Sequence, residues 1–159
     1  METKKYKLTE ETINVNGFIL HRIEALKDFS DVKKGDKGGF VEKERNLSQY
    51  YDCWIYENAM VYSNARICGD AVVCGSAEVH GSARICGDAV VCANTDYIVF
   101  KNWWSSGRCF TWTRSNNMWR VGCFYGTGKE LIKKAYKDSE LSGREYKRVV
   151  DYVELILKD

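Results

Sequence analysis

No apolar run in the 159-residue chain is long enough to cross a bilayer, and its N-terminus carries no secretory pattern. Both absences argue against a membrane partner and set the expectation of a soluble, cytoplasmic protein. Charge of one sign is also missing: 24 Lys and Arg stand against 22 Asp and Glu, for a formal net charge of +2. Without a global positive field, duplex nucleic acid is not an expected partner. Histidine is scarce, with only His21 and His80, and none of the seven cysteines forms a C-x-x-C pair. The usual zinc-ligand spacings are therefore absent, and neither metal nor cofactor is expected. Without a secretory pattern, the cysteines are expected as reduced thiols rather than a disulfide framework.

What is present is a repeat. From Trp54 to Asn94 an aliphatic residue returns every six positions, at Ile55, Val61, Ile67, Val73, Val79, Ile85 and Val91. An alanine follows four later at Ala59, Ala65, Ala71, Ala77, Ala83 and Ala89, and Asn58, Asn64, Asp70, Ser76, Ser82, Asp88 and Asn94 occupy the intervening turns. Period six does not suit an amphipathic helix; it suits a two-faced short strand followed by a tight turn. The octapeptide ICGDAVVC occurs at 67–74 and again at 85–92, an offset of 18, or three hexads.

These motifs resemble the hexapeptide-repeat superfamily. The resemblance implies a short, three-sided, left-handed parallel β-helix over 54–96. Inward positions are the aliphatics and alanines, so their neighbours face out. One side then carries Trp54, Tyr56, Val72, Cys74, Val90 and Cys92 and is apolar. A second carries Met60, Tyr62, Glu78 and His80, and the third, basic, carries Arg66, Cys68, Arg84 and Cys86. Cys68 and Cys86, like Cys74 and Cys92, should stack within bridging distance on adjacent rungs. The apolar side should be covered by the rest of the chain or by a second copy, and a homo-oligomer is expected.

Residues 1–53 read as a β-hairpin with its turn at Asn16-Gly17, followed by a loop leading into the repeats. Alternation through Ile19, His21, Ile23 and Ala25 suggests one buried face, with His21 a structural residue on it. The stretch DFSDVKKGDKGGFVEKERNLSQ, together with NARICGDA-type repeats, is similar to small hexapeptide-repeat proteins of bacteriophages and prophages, often labelled transferases. That likeness implies the cytoplasm of a bacterial host. Residues 97–159 read as a small α+β region: antiparallel strands with turns near 105–107 and 115–117, then helices over about 129–137 and 143–157. The fold class expected is therefore mainly β.

In that last region Trp103, Trp104, Trp112 and Trp119 interleave with Arg108, Arg114 and Arg120. Some of these tryptophans should fill a core. As a cleft, they would stack a base while guanidinium groups grip phosphate. Three functions stay open: non-enzymatic sequestration of a small anionic nucleotide signal, in a phage setting an anti-defence sponge; acyl transfer with His80 as general base; and a structural or protein-interaction module.

Overall fold

In the computed structural model residues 3–159 are described. Strands β1 (Tyr6–Val15) and β2 (Phe18–Ala25) form an antiparallel hairpin around Asn16-Gly17. The two turn residues take φ of 52° and 90°, as a two-residue hairpin turn requires. A register shift between Leu8 and Thr12 changes which face points inward. Leu20 and Ile23 are consequently both buried, whereas Ile19 is exposed, contrary to the simple alternation read from the sequence. His21 is half-buried, its Nδ1 3.0 Å from the Thr9 carbonyl. Strand β3 (Lys37–Val41) pairs antiparallel with β2. Its Gly38 and Gly39 admit close packing, since a Cβ on either would collide with the Ile55 or Ala59 carbonyl.

The repeats supply seven strands of two residues each: β4 (Trp54–Ile55), β5 (Met60–Val61), β6 (Arg66–Ile67), β7 (Val72–Val73), β8 (Glu78–Val79), β9 (Arg84–Ile85) and β10 (Val90–Val91). Parallel pairing joins β4, β7 and β10, then β5 and β8, then β6 and β9, always between residues 18 apart. The repeat aliphatics and alanines, Ile55 to Val91, are buried at 0–1% exposure and form the main core with Tyr6, Ile23, Val41, Leu47 and Trp54. A left-handed parallel β-helix is nonetheless not what the structure shows. The parallel strands fall into separate small sheets, and β5–β8 is continued through β3 into the antiparallel hairpin as a mixed five-stranded sheet. A four-stranded antiparallel sheet and two helices complete an α+β fold. The physical reason is the length of the strands. A residue with positive φ recurs every six positions, at Glu57, Ser63, Gly69, Gly75, Gly81 and Gly87, so no strand extends past two residues.

Parallel ladders have polar ends, and here each end is chemically matched. N–H groups donate up the sequence, as in Met60 N to Ala77 O and Cys68 N to Ile85 O. The last strands are left with free donors, and side-chain oxygens accept from them: Asn94 from Glu78 N, Thr111 from Arg84 N, Ser115 from Val90 N and Asp96 from Cys92 N, at 2.8–3.0 Å. The first strands are left with free carbonyls. There Asn46 Nδ2 donates to Ala65 O at 2.8 Å, and the buried ammonium of Lys5 donates to Cys53 O at 2.6 Å. At the buried Ala65 and Cys53 carbonyls these partners spare the backbone the cost of lost hydration.

Strands β11 (Tyr97–Lys101), β12 (Cys109–Thr113), β13 (Met118–Val121) and β14 (Phe124–Gly126) form the antiparallel sheet in sequence order. Helices α1 (Gly128–Asp138) and α2 (Glu140–Lys158) each begin earlier than the sequence pattern suggests. A capping box between Thr127 and Glu130 starts α1, and the Ser139 hydroxyl accepts from Ser142 N to start α2. Phe110, Trp112, Trp119, Leu131, Ala135, Tyr146, Val150 and Val153 make a second core, whereas Leu157 is exposed. No helix among the described residues is long and apolar enough to cross a membrane.

Candidate functional site

The seven residues singled out in the C-terminal region do not form one cleft. Trp112 and Trp119 lie in the second core at 0% and 1% exposure, where their indoles cannot stack on a ligand. Trp112 Nε1 donates to Asn117 Oδ1 at 2.7 Å. Trp104 packs edge-on against Tyr146 and donates to Ser142 Oγ at 3.3 Å. Trp103 is exposed beside it. Arg108 is exposed, and Arg114 lies over the Trp112 ring at 5.7 Å with its Nε donating to Thr95 O. Large indoles are drawn inward because a small sheet under two helices has few other residues of comparable apolar area. Arg120 is on the opposite face of β13 from Trp119 and points elsewhere.

Arg120 points to the repeats. Its partner on β12, Thr111, accepts from Arg84 N, so β12 sits over the end of the β6–β9 ladder and carries β13 beside it. There a groove of about 440 Å³ is bordered by Arg45, Arg66, Arg84 and Arg120, by Cys68 and Cys86, and by Ser48, Gln49 and Tyr50. Among the described residues none of the four guanidinium groups is within ion-pair distance of a carboxylate. Arg120 Nε is a buried donor with no acceptor. Glu44 is the one carboxylate bordering the groove, and it is occupied by Lys4 at 3.1 Å and Gln49 at 2.9 Å. Parallel pairing sets Arg66 and Arg84 side by side, at a strand spacing of about 4.8 Å. Adjacent unpaired guanidiniums repel one another, and an anion relieves that repulsion with forked hydrogen bonds.

The cysteines correct a second expectation. Cys68–Cys86 and Cys74–Cys92 are disulfides, not reduced thiols, while Cys53, Cys109 and Cys123 are free. Pairing at 18 residues puts each couple on directly opposed strand positions, with Cα atoms 4.8 and 4.5 Å apart, inside the range a disulfide accepts. Cys53 is buried beside Lys5, and burial holds the Cys53 thiol above its ordinary pKa and the Lys5 ammonium below its own.

His80 lies apart from the groove. It is exposed, stacked on the Tyr62 ring at 5.2 Å, and borders an open cavity of about 460 Å³ with Ser82, Asn94 and Tyr97. The Glu78 carboxylate is 3.4 Å from the Tyr62 hydroxyl, and among the described residues no carboxylate pairs with the imidazole. No group of three or more metal-ligating side chains occurs among the described residues.

The basic side of the repeats was visible in the sequence as Arg66 and Arg84. Arg45, Ser48, Gln49 and Tyr50 were not, because their segment is brought alongside β6 by long-range contacts, the Leu47 to Ile67 pairing and the Asn46 bond to Ala65 O.

No family model matches the chain. Over an alignment of 62 positions it is 37% identical to "Uncharacterized acetyltransferase YdcK" of Escherichia coli (strain K12), covering 34% of this chain and 19% of that protein. The likeness fits a hexapeptide-repeat, transferase-like relationship for part of the chain and carries no link to bacteriophages. This chain spans less than a fifth of the relative's length.

Proposed function

We propose that the protein is a non-enzymatic binder of a small anionic nucleotide, held by its phosphates in the arginine groove. The observation that carries this reading is the buried Nε of Arg120, without an acceptor among the described residues, next to Arg66 and Arg84, which among those residues have no carboxylate partner. The volume suits a nucleotide-sized ligand, and Tyr50 on the groove wall supplies an aromatic face in place of the tryptophans read from the sequence. In the phage setting implied by the sequence resemblance, binding without turnover would withdraw a host signal from circulation.

Thermal unfolding of the pure protein against cyclic dinucleotides, cyclic trinucleotides, ADP-ribose species and acetyl coenzyme A tests this. A ligand at a hundred times its Kd adds about 2.7 kcal/mol of stability. A nucleotide-specific shift that Arg84→Gln abolishes, with the nucleotide recovered unchanged on heating, is the expected result. A shift untouched by Arg84→Gln and Arg66→Gln overturns the groove assignment. The name of the YdcK relative favours a second reading, acyl transfer, in which an acceptor hydroxyl deprotonated by His80 takes the acetyl group from its thioester, free coenzyme A is released, and His80→Ala stops the release.

A further inference from the structure

The groove holds something that nucleotide binding does not use: a disulfide in its lining. Cys68 is half-buried and Cys86 is 5% exposed, and both border the space lined by the four arginines. Arg66 and Arg84 stand two residues before Cys68 and Cys86, on the same side of their strands. Cys74–Cys92 comes from the same two copies of ICGDAVVC and bridges the same 18-residue step, yet its corresponding neighbours are Val72 and Val90. The two bridges thus sit in different surroundings, one flanked by arginines and the other by valines, although Cys92 of the second is the more exposed.

We propose that Cys68–Cys86 is a thiol-exchanging disulfide whose co-reactant is a small thiol bearing carboxylates. The arginines concentrate such a thiolate in the groove and stabilise the thiolate that leaves, and a better-stabilised leaving thiolate departs faster. The incoming thiolate sulfur attacks Cys68 Sγ, the more accessible of the two. The Cys68–Cys86 bond breaks and its electron pair goes to Cys86, whose thiolate forms beside Arg84 and Arg120. A second thiolate attacks the small-molecule sulfur of the mixed disulfide, and Cys68 leaves with the electron pair. Two small thiolates are thereby oxidised to their disulfide, and the protein disulfide, taking up the two protons those thiols gave up on ionising, is reduced to two thiols. The strands tolerate the opening because backbone bonds such as Cys68 N to Ile85 O hold the ladder. This chemistry uses the same arginines as the proposed nucleotide grip but does not require it.

The test is competitive opening of the two bridges in the wild-type protein. 3-Mercaptopropionate, 2-mercaptoethanol and cysteamine, which are anionic, neutral and cationic, are supplied at equal thiolate concentration. Opened cysteines are alkylated over time and assigned by peptide mass. With the anionic thiol Cys68–Cys86 is expected to open about tenfold or more faster than Cys74–Cys92, with the rate ranked anionic, neutral, cationic. Arg66→Gln with Arg84→Gln should remove the ranking. For the unmodified protein, salt near 1 M should do the same, since the Debye length falls to about 3 Å. Equal rates for the two bridges overturn the proposal, as does a rate order indifferent to thiol charge, or free Cys68 and Cys86 in protein isolated in air. A nucleotide panel without a binder leaves these rates unchanged, so the two readings fail separately.

Discussion

The β6–β9 face and the β4–β7–β10 face are made from the same hexad, with the same buried aliphatics and the same 18-residue pairing, and they have become different surfaces. On the first, the outward residues before each aliphatic are Arg66 and Arg84, and the face remains open as a cationic groove. On the second they are Trp54, Val72 and Val90, and the chain folds back over part of the face. Trp54 is covered edge-on by Phe29 at 5.2 Å and by Tyr6 at 6.1 Å, leaving it 1% exposed, whereas Val90 at the far end is 41% exposed. The inward half of the repeat therefore supplies the scaffold, and one outward position per hexad decides whether a face recruits the protein's own aromatics or presents charge to solvent.

The sharpest way to break this contrast is Trp54→Ala, which removes the residue around which Tyr6 and Phe29 pack. A loss of about 3–5 kcal/mol is expected in denaturant unfolding, against little for truncating the half-open Val90. A loss under 1 kcal/mol would show that Trp54 is not the anchor of that face.

Alkaline pH separates the faces next. Burial, the leading cause in each case, raises the phenol pKa of Tyr6, Tyr56, Tyr62, Tyr97, Tyr125 and Tyr146 above the ordinary 10.0. A folded-state pKa raised above the unfolded one gives stability that is complete below about pH 10 and is lost as pH climbs through the folded values. Unfolding free energy should therefore fall steeply above about pH 10, in step with the phenolate absorbance. Affinity for anions in the arginine groove should respond to salt instead. A flat stability profile to pH 11 would contradict the burial of these phenols.

A smaller effect is expected at the ladder end beside the groove. Thr111→Val keeps the side-chain volume but removes the acceptor for Arg84 N, costing about 1–3 kcal/mol. The same change should weaken anion binding through Arg84 while leaving Trp119 packed, visible as retained indole fluorescence.

Local rules were legible where the chain obeys them locally. Asn16-Gly17 makes its hairpin turn, the hexad aliphatics and alanines are buried, and the 18-residue offset between the ICGDAVVC copies is the pairing distance of the parallel strands. The global class was misjudged because a six-residue period says how strands pair but not how far each sheet continues. Strands two residues long let β5–β8 join an antiparallel hairpin, and the four sheets remain separate. The tryptophan and arginine cluster failed for another reason. Alternation along β13 sends Trp119 and Arg120 to opposite faces, and proximity in sequence concealed that.

By itself, the sequence determined the inward face of the repeats, the register that sets Arg66 beside Arg84 and Cys68 beside Cys86, and the turns between strands. All of these follow from periodicity and residue type within a few hexads. Only the tertiary structure decided that Arg120 of β13 and the segment from Arg45 to Tyr50 close around those arginines. It also decided that Trp112 and Trp119 are core. Such meetings join positions far apart in the chain and depend on how the sheet caps the ladder ends, for which no local spacing provides a signal.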